Sequence, residues 1–276
     1  MGGILISGII FAAGGLSLLY WLQGSLIFFP QGIPHENRKA FGGWEVRVRR
    51  DDVELHGWFV EAPISPANPL VVYYGGNAEE VSGNLWMRDN FGPHALLLVN
   101  YRGYGDSGGR PSESHLFEDA VFVLDRILAD HDVDASAVVL MGRSLGSGVA
   151  AHVASRRPVR GVILVTPFDS LVSVARRHYP FLPVRRLLRH RFDSASIAPR
   201  IQTPLLSLVA GSDEIVPRDS ALRLADRWGG PKRMVIVDGA YHNDIEHYEV
   251  YWREIRQFLS EIAASKPDQD TGKGFP

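Results

Sequence analysis

Apolar runs separated by amphipathic stretches recur along most of this chain. Residues 46–50 and 53–62 alternate apolar and polar side chains, which predicts two antiparallel strands. The later runs are continuously apolar, as in strands that are buried on both faces of a parallel sheet. They cover residues 70–74, 95–100, 137–141, 161–166, 204–210 and 233–238.

Helical periodicity fills the intervals between these runs. Phe117, Val121, Leu124 and Leu128 recur at a spacing that places them on one face of a helix. The alternation of strands and helices indicates an α/β fold with an eight-stranded, mostly parallel sheet and helices on both faces. Further helices are predicted at residues 78–90, 145–156, 218–228 and 245–262.

Residues 167–200 interrupt this alternation with two short helical pieces, split by Pro180 and Pro183, and no strand. We interpret this segment as a small cap inserted after the sixth strand. It holds seven arginines and two aspartates. Such a segment is either a solvated surface or a cap that also meets anionic lipid headgroups.

The amino-terminal stretch carries no charged side chain before Glu36. Within it, residues 4–22 are apolar over a length that crosses a hydrocarbon core of roughly 30 Å. Tyr20 and Trp21 lie toward the far end of this run, where aromatic rings favour the membrane interface. We therefore predict an uncleaved, single-pass anchor over residues 1–34, with a signal peptide or a buried core helix as alternatives. Basic residues follow this segment and none precedes it, which favours a cytoplasmic body.

Composition excludes several classes of function for the rest of the chain. Residues 35–264 are predicted to form one catalytic domain, and the polar residues 265–276 a disordered tail. The chain has 29 Lys and Arg against 31 Asp and Glu, so it lacks the basic footprint of a nucleic-acid-binding domain. It has no cysteine, which excludes disulfides, a cysteine zinc site and a thiol nucleophile.

Candidate chemistry begins with the pentapeptide GRSLG at residues 142–146, which matches G-x-S-x-G between an apolar run and a helical pattern. In that context, a tight strand-to-helix turn lifts the hydroxyl of Ser144 above the sheet as a candidate nucleophile. The turn also leaves the N–H of Leu145 at the start of a helix, where it can stabilise an oxyanion. A Ser144 that only caps the helix is the alternative.

A serine nucleophile needs a base, and the base needs an acid that orients it. Asp213 follows the seventh strand and His242 follows the last, so both are placed where α/β folds build their sites. The order Ser144, Asp213, His242 fits this architecture. The competitors in the sequence are His247 for the base and Asp169, Glu214 and Asp238 for the acid.

A second oxyanion donor is expected in the loop after the third strand. The backbone N–H of Asn77 is the candidate and that of Ala78 the alternate, while Asn77 acting as a helix N-cap is the plain alternative. The G-x-G-x-x-G match at residues 103–108 opens no helix directly, so we interpret it as a turn near the site. With no cysteines and no H-E-x-x-H order, no metal or cofactor is predicted.

Together these residues resemble the α/β-hydrolase superfamily over residues 40–262. The branch they resemble is that of small, N-terminally membrane-anchored serine hydrolases. The resemblance implies catalytic roles for Ser144, Asp213 and His242 and oxyanion roles for the amides of Leu145 and Asn77. Most relatives have His-Gly before this Asn, where the present chain has Gly-Gly. The matching stretches are LIFFP (26–30), YGGNA (74–78), NYRGYGDS (100–107), GRSLG (142–146), TPFDS (166–170) and GSDEIVP (211–217).

The motifs and the resemblance predict a serine hydrolase that cleaves carboxylic ester or thioester bonds in lipid or acylated substrates. An anchor would raise the local concentration of a substrate that resides in the bilayer. A serine peptidase, an acyltransferase and a catalytically silent scaffold share these features and remain open.

Overall fold

The computed structural model describes residues 2–265, and the side chains of residues 2–13 and of Leu16 lie outside the described ones. Its eight strands form one sheet in the order β1-β2-β4-β3-β5-β6-β7-β8. All eight predicted strands are confirmed. Their bounds are β1 Glu45–Arg50, β2 Val53–Val60, β3 Leu70–Tyr74, β4 Leu96–Val99, β5 Val138–Arg143, β6 Gly161–Val165, β7 Leu205–Ala210 and β8 Lys232–Val237.

The direction of the strands places the functional loops at one edge of the sheet. β2 runs antiparallel to β1 and β4, and every other neighbouring pair is parallel. Every residue of β3, β4, β6 and β7 is buried, because helices cover both faces. The loops after the parallel strands therefore converge at their carboxyl ends.

The helices largely follow the predicted periodicity. Their bounds are α1 Gly2–Ile27, α2 His35–Phe41, α3 Glu113–Asp130, α4 Leu145–Ala154, α5 Leu171–His178, α6 Val184–Leu187, α7 Ser194–Ile197, α8 Arg218–Arg227 and α9 Glu249–Ala264.

Two predicted helices differ from the structure. Residues 78–90 were expected to be α-helical, but the structure has a 3₁₀ helix at Val81–Phe91. The side chain of Asn84 donates to the Val81 carbonyl over 3.1 Å and competes there with the helical backbone bond. The helix predicted at 245–262 is divided into a 3₁₀ turn at Ile245–His247 and the helix α9.

The insertion at residues 167–200 contains three short helices, α5 to α7, rather than the two that were predicted. Phe192, within this insertion, is fully buried. The carboxylate of Glu113, at the start of α3, accepts hydrogen bonds from the backbone N–H groups of Arg191 and Phe192 at 2.6 and 2.7 Å. The insertion is thereby fixed to the hydrolase body.

The end of α1 contacts this insertion. Gln23 is buried; its side chain donates to the Leu187 carbonyl over 3.3 Å and accepts from the Arg189 N–H over 2.6 Å. The anchor predicted at 1–34 includes residues 1–13 and Leu16, whose side chains are not described. Within the described residues, no helix is long and apolar enough to span a membrane. The tail predicted at 265–276 lies outside the described residues apart from Ser265.

Candidate active site

The turn between β5 and α4 exposes the Ser144 hydroxyl through an unusual backbone conformation. Ser144 has a φ of 50° and a ψ of −115°, outside the regions that side chains ordinarily favour. A Cβ at Gly146 would overlap the Tyr74 carbonyl oxygen, and one at Gly142 would overlap the Gly146 carbonyl oxygen. The two glycines of the motif are thus required by close backbone approach.

Ser144 does not act as a helix cap. It occupies the N-cap position of α4, but its hydroxyl makes no capping hydrogen bond to the helix. Its Oγ instead lies 2.9 Å from Nε2 of His242, a residue 98 positions away in the chain. The plain capping alternative for Ser144 is therefore excluded.

His242 also contacts the predicted acid. Its Nδ1 lies 2.7 Å from Oδ2 of Asp213, and both side chains are at most 6% exposed. The other carboxylate oxygen, Oδ1, accepts from the backbone N–H groups of Ile215 and Val216 at 2.9 and 2.8 Å. These two bonds fix the carboxylate plane, so Oδ2 is directed at the imidazole.

The residues that compete for the roles of acid and base have other surroundings. Asp169 is bound to Arg223 over 2.7 Å and to the Ser220 hydroxyl over 2.6 Å. These partners lower the pKa of the Asp169 carboxyl even though burial alone would raise it. Three remaining competitors are exposed: Glu214, Asp238 and His247.

The two candidate oxyanion donors lie on the nucleophile turn and on the loop after β3 that packs against it. Leu145 is the first residue of α4, so its N–H has no partner within the helix. A Cβ placed on Gly76 would lie 3.9 Å from Cβ of Ser144, which brings the loop after β3 against the nucleophile. The N–H of Gly76 is taken by Glu79 Oε2 at 2.7 Å. The N–H of Asn77 has no acceptor within residues 2–265.

The structure excludes the alternative in which Asn77 acts as a helix N-cap. The side chain that caps the 3₁₀ helix belongs to Glu80, which accepts from the N–H of Ser82. The Asn77 side-chain amide instead donates to the carbonyl of Ile27 over 3.1 Å. Ala78, the alternate donor, is exposed.

The Gly-Gly departure from the relatives has a local cause. A Cβ at Gly75 would lie 2.9 Å from Cγ1 of Val81 and 3.3 Å from Cδ of Glu79. A side chain at position 75 would therefore overlap the Val81 side chain and press against the carboxylate that holds the Gly76 N–H. Gly75 is compatible with this Glu79-supported loop.

Sequence reasoning missed a half-buried network beneath the loop. Glu79 accepts from the Tyr73 hydroxyl over 2.8 Å and lies 3.6 Å from the Arg143 guanidinium. Burial alone would lower the pKa of Arg143, but electrostatic interactions with Tyr73, Glu79 and Glu246 outweigh it and raise that pKa. The available signal was Glu79 itself, an acidic residue two positions after Asn77.

The match at residues 103–108 forms a tight turn rather than a nucleotide loop. Gly103 and Gly105 have positive φ angles of 80° and 54°. Two tyrosines of this region reach the loop after β3: Tyr101 donates to the Gly75 carbonyl over 2.9 Å, and Tyr104 donates to the Asn77 carbonyl over 2.6 Å. The turn therefore supports the candidate site.

One further polar cluster brings Glu45, His56 and Asp106 close enough to share an ion. Its carboxylates already contact guanidinium groups: Arg38 lies 2.8 Å and Arg47 2.9 Å from Asp106. Hydrogen bonding by Arg38 is the main cause that lowers the pKa of Asp106. These arginine charges oppose a metal ion, so the cluster is best explained as ion pairing.

The fold and this site define an α/β-hydrolase with a Ser-His-Asp arrangement. A serine hydrolase family model matches residues 123–261, which include Ser144, Asp213 and His242. The uncharacterized protein Rv2307c of Mycobacterium tuberculosis is 36% identical over 263 residues, covering 91% of this chain and 92% of the relative. The chain belongs to the serine hydrolase family, and it is an enzyme of that class.

Solved structures agree on the fold. An alpha-beta hydrolase from Vibrio vulnificus has a TM-score of 0.66 at 19% identity, covering 84% of this chain and 86% of that one. A soluble variant of monoglyceride lipase from Saccharomyces cerevisiae, in complex with a substrate analog, has a TM-score of 0.62 at 12% identity, covering 80% and 95%. At these identities the likeness concerns the fold.

Proposed function

We propose that this serine hydrolase cleaves carboxylic ester or thioester bonds of lipid or acylated substrates. The observation that carries the proposal is the continuous hydrogen-bonded chain from Asp213 through His242 to Ser144. The two contacts of this chain measure 2.7 and 2.9 Å. This geometry is what a serine needs for activation by a neighbouring base.

In the proposed reaction, Ser144 Oγ attacks the acyl carbon while His242 Nε2 takes its proton. Asp213 keeps the proton of His242 on Nδ1 and stabilises the imidazolium. The amides of Leu145 and Asn77 stabilise the tetrahedral oxyanion. His242 then protonates the leaving alcohol or thiol, and water hydrolyses the acyl-enzyme by the reverse sequence of proton transfers.

A structural neighbour supports the proposed acyl substrate. The yeast neighbour is a monoglyceride lipase, which fits an acyl ester substrate. A peptidase or an acyltransferase would use the same residues, with an amide substrate or with an alcohol in place of water.

Active-site labelling combined with a substrate panel tests the proposal. Wild type should react with a fluorophosphonate probe and hydrolyse nitrophenyl esters of graded acyl length, with acyl thioesters and peptides assayed alongside. Ser144→Ala should abolish labelling and turnover, and Ser155→Ala, at the end of α4, is the matched control. Full activity of Ser144→Ala would exclude the mechanism, and cleavage of peptides alone would favour the peptidase.

We further propose that the apolar residues 4–22 of the segment predicted at 1–34 anchor the enzyme and that the basic cap faces the same bilayer. Four exposed cap arginines, at 176, 177, 185 and 186, have no carboxylate within 4.0 Å in the described part of the chain. Phe181 between them is 97% exposed. Arginines around an exposed aromatic side chain suit an anionic lipid interface. Arg189 contacts the Tyr20 ring of α1, which links the cap to the proposed anchor.

Fractionation tests the membrane proposal. The full chain should sediment with membranes, and a chain lacking residues 2–22 should be released from them. Replacing the four arginines with glutamine in the full chain should leave sedimentation unchanged but slow hydrolysis in anionic vesicles relative to neutral ones. Because the chain has no cysteine, Lys39→Cys with an impermeant maleimide reports whether the body is cytoplasmic. Retention of the shortened chain on membranes would contradict the anchor.

A further inference from the structure

The segment that leaves α1 pairs directly with the candidate oxyanion residue. The N–H of Phe29 donates to the Asn77 carbonyl over 3.0 Å. In return, the Asn77 side-chain amide donates to the carbonyl of Ile27 over 3.1 Å. Two reciprocal hydrogen bonds thus join residues 27–29 to a residue 50 positions away.

The same segment is fixed to the hydrolase body on its other sides. The phenyl ring of Phe28 is 2% exposed and packs on the rings of His190 and Phe192 in the cap, with centroids 5.1 and 6.3 Å apart. The Gln31 carbonyl accepts from the Gly105 N–H over 2.8 Å. The segment is therefore a built part of the body, although it lies within the stretch predicted to be an anchor.

These contacts fix the chain on both sides of one peptide group. The N–H of Asn77 belongs to the peptide that joins it to Gly76. Glu79 holds the peptide before it through the Gly76 N–H, and Phe29 and the Tyr104 hydroxyl hold the peptide after it through the Asn77 carbonyl. The Ile27 carbonyl holds the Asn77 side chain. A donor fixed in advance stabilises a developing charge without reorganising at the moment of reaction.

We propose that residues 27–29 are positioning residues for the oxyanion hole, so that the site is incomplete without the amino-terminal segment. This inference rests on the proposed function, in which the Asn77 amide contacts the oxyanion. The segment after α1 then contributes to turnover, in addition to joining the proposed membrane anchor to the hydrolase domain. Loosening the segment should reduce transition-state stabilisation while substrate binding is retained.

The test uses the full chain with point variants. Phe28→Ala empties the pocket that seats the segment, and Phe28→Leu refills most of it. We expect Phe28→Ala to lower kcat about tenfold with KM nearly unchanged, since complete loss of an oxyanion donor costs roughly a hundredfold or more. Phe28→Leu should restore most of kcat. Phe91→Ala, which removes another buried phenyl ring far from the segment, should lower the melting temperature without the loss of kcat.

Variants of milder effect keep the inference testable if Phe28→Ala does not fold. Tyr104→Phe removes one donor to the Asn77 carbonyl and should lower kcat severalfold. Tyr179→Phe, at an exposed tyrosine, is its control and should leave kcat unchanged. If Tyr104→Phe and every folded Phe28 variant kept wild-type kcat, the positioning role would be overturned.

Failure of the positioning role can be distinguished from failure of the proposed ester hydrolysis. If the wild type hydrolyses no ester, the ester proposal fails, and the rate of fluorophosphonate labelling of Ser144 replaces kcat as the readout. The adduct places a phosphonyl oxygen in the same hole, so the same order of variants is expected. Equal labelling rates in wild type, Tyr104→Phe and Phe28→Ala would then overturn the positioning role.

Discussion

The carboxylate of Glu79 lies 3.6 Å from the guanidinium of Arg143 and joins the loop after β3 to the nucleophile turn after β5. The same carboxylate accepts from the Gly76 N–H over 2.7 Å. The guanidinium also reaches the side-chain oxygen of Asn243, next to His242, over 3.4 Å. One ion pair therefore connects three loops that carry the candidate site.

Replacing Glu79 with glutamine should loosen this connection. Glutamine keeps an oxygen for the Gly76 N–H but removes the charge that faces the half-buried Arg143. We expect the free energy of unfolding to fall by about 1–3 kcal/mol and kcat to fall with little change in KM. Urea denaturation and steady-state kinetics measure both effects, with the exposed Glu61→Gln as control. Unchanged kcat would show that the ion pair serves stability alone.

Replacing Asp213 with asparagine tests the assignment of the acid. The asparagine side chain can still accept from the Ile215 and Val216 amides, but its NH₂ group would face Nδ1 of His242. The histidine would then hold its proton on Nε2, where it cannot accept the proton of Ser144. We expect kcat to fall roughly ten-thousand-fold with the melting temperature nearly unchanged. Glu214→Gln is the matched control, and an equal loss in both variants would contradict the assignment.

Substitution of Gly146 tests the close approach in the nucleophile turn. An added Cβ would overlap the Tyr74 carbonyl oxygen, which is backbone and cannot move aside cheaply. We expect Gly146→Ala to lower the free energy of unfolding by about 3 kcal/mol. Gly83→Ala is the control, because nothing lies within 4 Å of its Cβ position. If the two variants were equally stable, Gly146 would not lie in close contact with the Tyr74 carbonyl oxygen.

The partly buried His152 should make stability depend on pH. Its ring stacks on Phe117 at 4.2 Å, and burial, aided by the Arg156 charge, lowers the pKa of His152 to about 4. In the unfolded chain a histidine titrates near about 6.5. As the pH falls from about 6.5 to 4, the unfolded chain takes up a proton that the folded protein excludes, so stability falls.

His152→Phe should remove this contribution. We expect the difference in unfolding free energy between variant and wild type to be constant above about pH 6.5 and to shift in favour of the variant below it, by at most about 1.4 kcal/mol per pH unit. Chemical denaturation across this pH range measures the difference, with the exposed His247→Phe as control. A difference that stayed constant down to pH 4 would contradict the assignment.

The sequence determined the elements and the candidate site residues of this protein. Buried strands need continuously apolar side chains, so the runs identified all eight strands. The GRSLG motif between a strand and a helix identified Ser144 because glycines are obligatory where backbones approach so closely. Asp213 and His242 followed from their positions after strands, since the carboxyl ends of parallel strands share one edge of the sheet.

Only the tertiary structure decided how these residues are held. The sequence offered both Asp213 and Asp169 as partners for His242. In the structure Asp169 pairs with Arg223, and Asp213 contacts His242. The bonds from Ile27, Phe29 and Tyr104 to Asn77 join distant parts of the chain, and the segment at 27–29 carries no pattern that marks it as part of the site. Periodicity and motifs report neighbours along the chain, whereas these contacts arise from strand order and packing.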